Sequence, residues 1–108
     1  MSYFTRYFDD LAESIKHVDD SLLLQAAEMV QKTKNSNSKI IIAGNGGSAA
    51  MASHVSVDFT KAAKVRAINF NEADLITCFG NDYGYENWVK EALIAYSDPG
   101  DLLILVSS

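Results

Sequence analysis

The segment from Lys39 to Ser48 restricts the fold more than any other. Lys39-Ile40-Ile41-Ile42-Ala43 is a short, continuous, β-branched run, the pattern of a strand buried on both faces. It passes directly into Gly44-Asn45-Gly46-Gly47-Ser48, and from Ser48 a helical spacing sets Ala49, Ala52, Val55, Phe59 and Ala62 on one side. Where a buried strand turns into a helix, unpaired backbone N–H groups point outward and the helix dipole adds positive character. Glycines let the backbone approach an anion closely, and Ser48 can cap the helix or donate its hydroxyl. Two readings follow: an anion site, or a tight turn with a serine cap and no ligand.

Further elements extend this unit on both sides. Val65 to Phe70 predicts a second strand, Glu72 to Phe79 a short helix, and Gly80-Asn81-Asp82-Tyr83-Gly84 a loop. Glu86 to Tyr96 reads as a helix through Trp88, Val89, Leu93 and Ile94. Asp98-Pro99-Gly100-Asp101 then turns the chain into a third buried strand, Leu102-Leu103-Ile104-Leu105-Val106. Alternating helices and buried strands imply an α/β fold with a parallel sheet flanked by helices. The first and third strands are expected to be adjacent, with the Gly-rich loop at their C-terminal edge. Such a small parallel sheet leaves apolar surface uncovered, so residues 37–108 are expected to be the N-terminal part of a truncated domain.

Residues 1–36 form a separate helical segment. Phe4, Phe8, Leu11, Ile15, Val18 and Leu22 fall four, three, four, three and four apart, a helical seam with the charged residues on other faces. Asp19-Asp20-Ser21 offers a cap for a second helix carrying Leu22, Ala26, Met29 and Val30. The seam either packs on its own domain or forms an oligomer contact.

Composition excludes several classes. The 108 residues allow one domain at most. A net charge of −5 with scattered Lys and Arg disfavours nucleic acid as a partner. No stretch approaches a membrane span, and the N-terminus has no signal-peptide pattern, so a cytoplasmic location is expected. Cys78, the one cysteine, reads as a buried structural thiol. His17 lies off the seam and reads as exposed and uninvolved.

Two nucleotide fingerprints fit poorly. Gly44-x-Gly46-x-x-Ala49 approximates a dinucleotide loop, but Asn69 and Asn71 stand near where an acidic residue should end the second strand. The Gly-Lys-Ser/Thr ending of a nucleotide phosphate loop is absent. By contrast, Gly44-Asn45-Gly46-Gly47-Ser48-Ala49-Ala50 with His54 six residues after the serine resembles the signature of phosphoheptose isomerases within the sugar isomerase (SIS) family. Gly80-Asn81-Asp82-Tyr83-Gly84 resembles that family's second loop, and Asp101 to Ser108 its strand entering a Ser/Thr-rich phosphate loop. The resemblance implies a flavodoxin-like parallel sheet between helices, assembled into homotetramers through N-terminal helices. It implies a phosphorylated sugar, sedoheptulose 7-phosphate, held by Asn45, Gly46, Gly47, Ser48, Asn81, Asp82, Ser107 and Ser108. A non-enzymatic phosphosugar sensor or interaction module is the alternative.

His54 and Asp58 lie four apart and project from one helix face. Alone, they read as a surface pair. The resemblance implies catalytic proton transfer and zinc ligation at both positions, with the remaining ligands in the C-terminal half of the family domain. Two ligands hold zinc weakly, so firm metal binding is not expected of this chain by itself. Asp58 is a methylene shorter than the family's glutamate, and the family's nearby arginine has no counterpart, although Lys61 and Lys64 are close.

Overall fold

A computed structural model describes all residues, 1–108. The elements run α1 (Tyr3–Lys16), α2 (Asp20–Asn35), β1 (Ile40–Gly44), α3 (Gly47–Asp58), β2 (Ala67–Asn69), α4 (Ala73–Tyr83), α5 (Trp88–Tyr96) and β3 (Leu102–Val106). The three strands form one parallel sheet in the order β2-β1-β3. The expected adjacency of the first and third strands holds, and β1 is central.

Burial of β1 explains its composition. Ile40, Ile41 and Ile42 are at most 1% exposed. Side chains alternate across a strand. Ile40 and Ile42 therefore pack with Ala52 and Val65 on one face, and Ile41 packs with Phe70, Trp88 and Ala92 on the other. A β-branched residue at each of these positions fills space on both sides of the sheet.

The strands are joined at their starts by a charged clamp. The Lys39 amide donates to Asp101 Oδ1 at 3.0 Å, and Lys39 Nζ donates to Asp101 Oδ2 at 2.6 Å. The Asp98 amide donates to Asp101 Oδ2 at 2.8 Å, and the Leu102 amide donates to the Lys39 carbonyl at 3.0 Å. Burial pushes the Asp101 carboxyl up, but hydrogen bonds from the Asp98 amide and from Lys39 outweigh it and hold it below the usual aspartate value. The same bonds, from Asp101 first and then Asp98, raise Lys39.

Several elements differ from the sequence expectation. The second strand pairs only over Ala67–Asn69, because Lys64 turns the chain left-handed at φ 58° and Phe70 enters the core beside Ile41. The expected loop Gly80–Gly84 is helical as far as Tyr83. Glu72 caps α4 by accepting from the Leu75 amide at 3.0 Å, and the helix continues until Gly84 stops it at φ 89°. The next helix starts with a 3₁₀ turn, Tyr85–Asn87, before α5. β3 is covered unequally: Ile104 and Val106 pack on the core, whereas Leu103 and Leu105 are exposed, Leu105 in the wall of a cleft beside Trp88 and Val89. Cys78 is exposed rather than buried, on the outer side of α4.

Two helices precede the sheet, as the spacing implied. Ser2 caps α1 by accepting from the Thr5 amide, and Asp19 caps α2 by accepting from the Ser21 amide at 2.8 Å. Phe4, Phe8, Leu11 and Ile15 all remain exposed, and α1 has no buried residue. No helix is long and apolar enough to cross a membrane.

Asp101→Asn is expected to lower stability at neutral pH by about 2 kcal/mol, since hydrogen bonds to charged groups contribute about 1.5–3 kcal/mol. The sign with pH follows from the two shifts. Asp101 is lowered, so its contribution is complete above the ordinary value of 3.8 and disappears as pH falls through its folded value. Lys39 is raised, so its contribution is complete below 10.5 and disappears as pH rises through its folded value. Denaturant unfolding of both proteins across pH should show the difference narrowing in acid; a constant difference would contradict the charged clamp.

Candidate functional site

The chain leaves β1 for β2 on one side while β3 lies on the other, so the C-terminal ends of β1 and β3 flank a topological switch point. Open α/β sheets hold ligands at such points. The register pairs Gly44 with Val106, which puts the Gly-rich loop beside the stretch that leads to Ser107 and Ser108.

Two glycines are required by this geometry. A Cβ on Gly44 would lie 2.7 Å from the Ser48 carbonyl carbon and oxygen, so the first turn of α3 closes directly onto the end of β1. Gly46 adopts φ 57°, ψ −121° immediately before α3, a conformation that side chains strongly disfavour. Beyond it the Ser48 amide donates to the Asn45 carbonyl and the Ala50 amide to the Gly46 carbonyl. The amides of Gly46, Gly47 and Ala49 precede any intrahelical acceptor and are open to a ligand. Ser48 does not cap α3, since Gly46 holds the cap position and no side-chain capping bond forms. The serine cap of the second reading is therefore absent, and the hydroxyl is not committed to a helix cap.

A cleft of about 250 Å³ opens beside the loop, with Gly44, Asn45, Tyr85, Trp88, Val106 and Ser107 in its walls. Tyr85 had no role in the sequence reading. Its hydroxyl donates to Asn45 Oδ1, which ties the 3₁₀ turn after α4 to the Gly-rich loop. A tyrosine directly after the Gly84 stop was the available signal. Asn69 and Asn71, which spoiled the dinucleotide fingerprint, anchor α3 instead: Asn69 Nδ2 donates to Ser56 Oγ at 3.0 Å, and Asn71 Nδ2 donates to the Ala49 carbonyl at 2.7 Å.

The structure does not gather every candidate residue. Asn45, Gly46, Gly47 and Ser48 meet the end of β3, where Ser107 follows. Asn81 and Asp82 sit in the last turn of α4, and their side-chain bonds stay local: Asn81 Nδ2 donates to Asp82 Oδ1, and Cys78 Sγ to Asp82 Oδ2. The Asp82 charge raises the Cys78 thiol above its ordinary value, which disfavours the nucleophilic thiolate.

His54 and Asp58 form their pair, with Nε2 3.3 Å from Oδ2, but their side chains are 81% and 60% exposed. They project from α3 beyond the cleft, about 9 and 15 Å along the axis from Ser48 at 1.5 Å per residue. No group of three or more metal-ligating side chains forms anywhere in the chain. Catalytic zinc sites use three protein ligands, so these two residues alone do not make one. A larger cavity, about 500 Å³, lies at the opposite sheet edge, lined by Thr33, Ser36, Ser38, Gly100 and Asp101. Asp101 is already satisfied by the clamp, and that edge lacks a helix N-terminus aimed into it.

The parallel sheet, the glycine-bearing strand-to-helix turn and the serines at the neighbouring strand end are those of an α/β domain of the sugar isomerase type. Residues 3–108 match the SIS domain family, and the chain belongs to that family. Among similar proteins, the phosphoheptose isomerase of Thermodesulfovibrio yellowstonii is 35% identical over 82% of this chain and 47% of its own length. That of Aliarcobacter butzleri is 32% identical over 97% of this chain and 58% of its own. The solved phosphoheptose isomerase of Neisseria gonorrhoeae superposes with a TM-score of 0.78 at 31% identity, over 99% of this chain and 62% of that one. The chain thus spans about half to three-fifths of the length of these relatives.

Gly44→Ala should displace the first turn of α3. Overpacking of this kind costs about 1–3 kcal/mol. A thermal melt is expected to show the loss, and an unchanged midpoint would mean that the turn does not close as described.

Proposed function

We propose that this chain holds the phosphate and part of the sugar of sedoheptulose 7-phosphate in an aldose–ketose isomerase of the phosphoheptose isomerase type. The observation that carries this reading is the start of α3, where open amides of Gly46, Gly47 and Ala49 adjoin an uncapped Ser48 and the end of β3. Helix N-termini of this kind bind phosphate through N–H donors and the dipole. Ser107 and Ser108 would complete the anion shell from the neighbouring strand, and Asn45 would meet a sugar oxygen.

Holding the phosphate fixes the register of the sugar. Asp58 would then act as general base on the carbon beside the carbonyl. The C–H electron pair forms the C=C of an enediol as the carbonyl oxygen takes a proton. The neighbouring hydroxyl then loses its proton to become the new carbonyl, and the proton held by Asp58 goes to the former carbonyl carbon. His54, beside Asp58, is the donor that this chain offers to the developing oxyanion. The relatives' names support the substrate class. The exposed seam Phe4-Phe8-Leu11-Ile15 supports assembly with further copies into a homotetramer, because leaving side chains of that size in water forgoes about 1.5–3 kcal/mol each. Sedimentation of the full-length protein should show the oligomer at micromolar concentration, and a monomer would count against it.

A second reading, a phosphosugar-sensing or interaction module without turnover, is favoured by the exposure of His54 and Asp58 outside the cleft. Calorimetric titration of sedoheptulose 7-phosphate, with an isomerisation assay, separates the two. Ser48→Ala is expected to weaken binding about ten- to a hundred-fold, as loss of a hydrogen bond to a charged acceptor does. His54→Ala is expected to lower turnover while binding survives. Unchanged affinity in Ser48→Ala would defeat the phosphate site; unchanged turnover in His54→Ala would defeat the catalytic role of the pair.

A further inference from the structure

Tyr85 crosses from the turn after α4 to the Gly-rich loop, and its surroundings hold it there. Gly84 ends α4 at φ 89°, ψ 143° and aims the chain back toward β1. The ring lies over Gly80, where an added Cβ would already touch Cδ2 at 3.8 Å. On the other side, its centroid is 6.5 Å from that of the buried Trp88. Tyr85 is 56% exposed, but the inner side of its ring meets Gly80 and Trp88, and the hydroxyl reaches Asn45 at the cleft wall.

A carboxamide has an acceptor end and a donor end. The Tyr85 O–H occupies Asn45 Oδ1, so the Nδ2 donors are the end left for a ligand. We infer that Tyr85 is a positioning residue that presents Asn45 as a hydrogen-bond donor in the cleft, and thereby selects a phosphosugar oxygen acting as acceptor. Without the phenol hydroxyl the carboxamide is free to reverse, and an acceptor facing an acceptor repels. This inference rests on the proposed phosphosugar site and concerns one contact within it.

A double-mutant cycle on the full-length protein, read by calorimetry with sedoheptulose 7-phosphate, tests it. Tyr85→Phe keeps the ring and removes the hydroxyl, and should weaken binding about three- to ten-fold. In an Asn45→Ala background the same change should have no further effect, because Tyr85 acts through Asn45. Asn45→Asp keeps an acceptor for Tyr85 but replaces the donors with negative charge, and should bind less tightly than Asn45→Ala. Full affinity in Tyr85→Phe, an equal loss in both backgrounds, or tight binding by Asn45→Asp would each overturn the inference. Ser48→Ala in parallel keeps the two levels apart. If it weakens binding while the Asn45 variants do not, the positioning role fails and the phosphate site stands; if neither weakens it, the site itself fails.

Discussion

Lys39 and Asp101 hold the first residues of β1 and β3 side by side, and the register that follows carries Gly44 to Val106. That alignment decides where two loops distant in sequence meet. A slip of one residue would turn Ile41 to the wrong face and part the Gly-rich turn from Ser107. The clamp lies at the edge away from the cleft, where its charges can pair without competing for an anion. The clamp and the proposed binding site are thus at opposite ends of the same two strands.

Much of this was legible in the sequence because it depended on local chemistry. Three consecutive isoleucines running into glycine admit few structures other than a doubly buried strand ending in a tight turn. The cap at Asp19 and the parallel order also followed from spacing. The failures have a common cause: they depended on what lies across space. Gly80 looked like a loop residue, yet it sits inside α4, where a glycine costs about 1 kcal/mol relative to alanine. Cys78 sits among apolar neighbours in sequence but on the outside of the helix. Leu103 and Leu105 read as core because β3 is apolar throughout, and only the assembled sheet shows that they stay exposed. Tyr85 could not be assigned a partner forty residues away.

The candidate site divides in the same way. The proposed anion-binding part is a property of backbone geometry, and this chain contains the turn that Gly44 and Gly46 set. The proposed chemical part needs side chains brought together from several elements, and the pair it would draw on here, His54 with Asp58, stands in the open. Membership of the SIS family and likeness to phosphoheptose isomerases fit this division, since the matched relatives extend well past the length of this chain. The serine hydroxyl, the glycine amides and the Tyr85-held carboxamide are all hydrogen-bond donors or can act as donors, which suits a ligand rich in oxygen acceptors.

The central claim is that phosphate is held by the backbone at the start of α3. An amide ¹⁵N–¹H titration with sedoheptulose 7-phosphate reads those groups directly. The largest changes are expected at Gly46, Gly47 and Ala49, with a smaller response at Ser107 and Ser108. If the largest changes instead fall around Ser36, Ser38 and Gly100, at the opposite edge of the sheet, the phosphate does not bind where this account puts it.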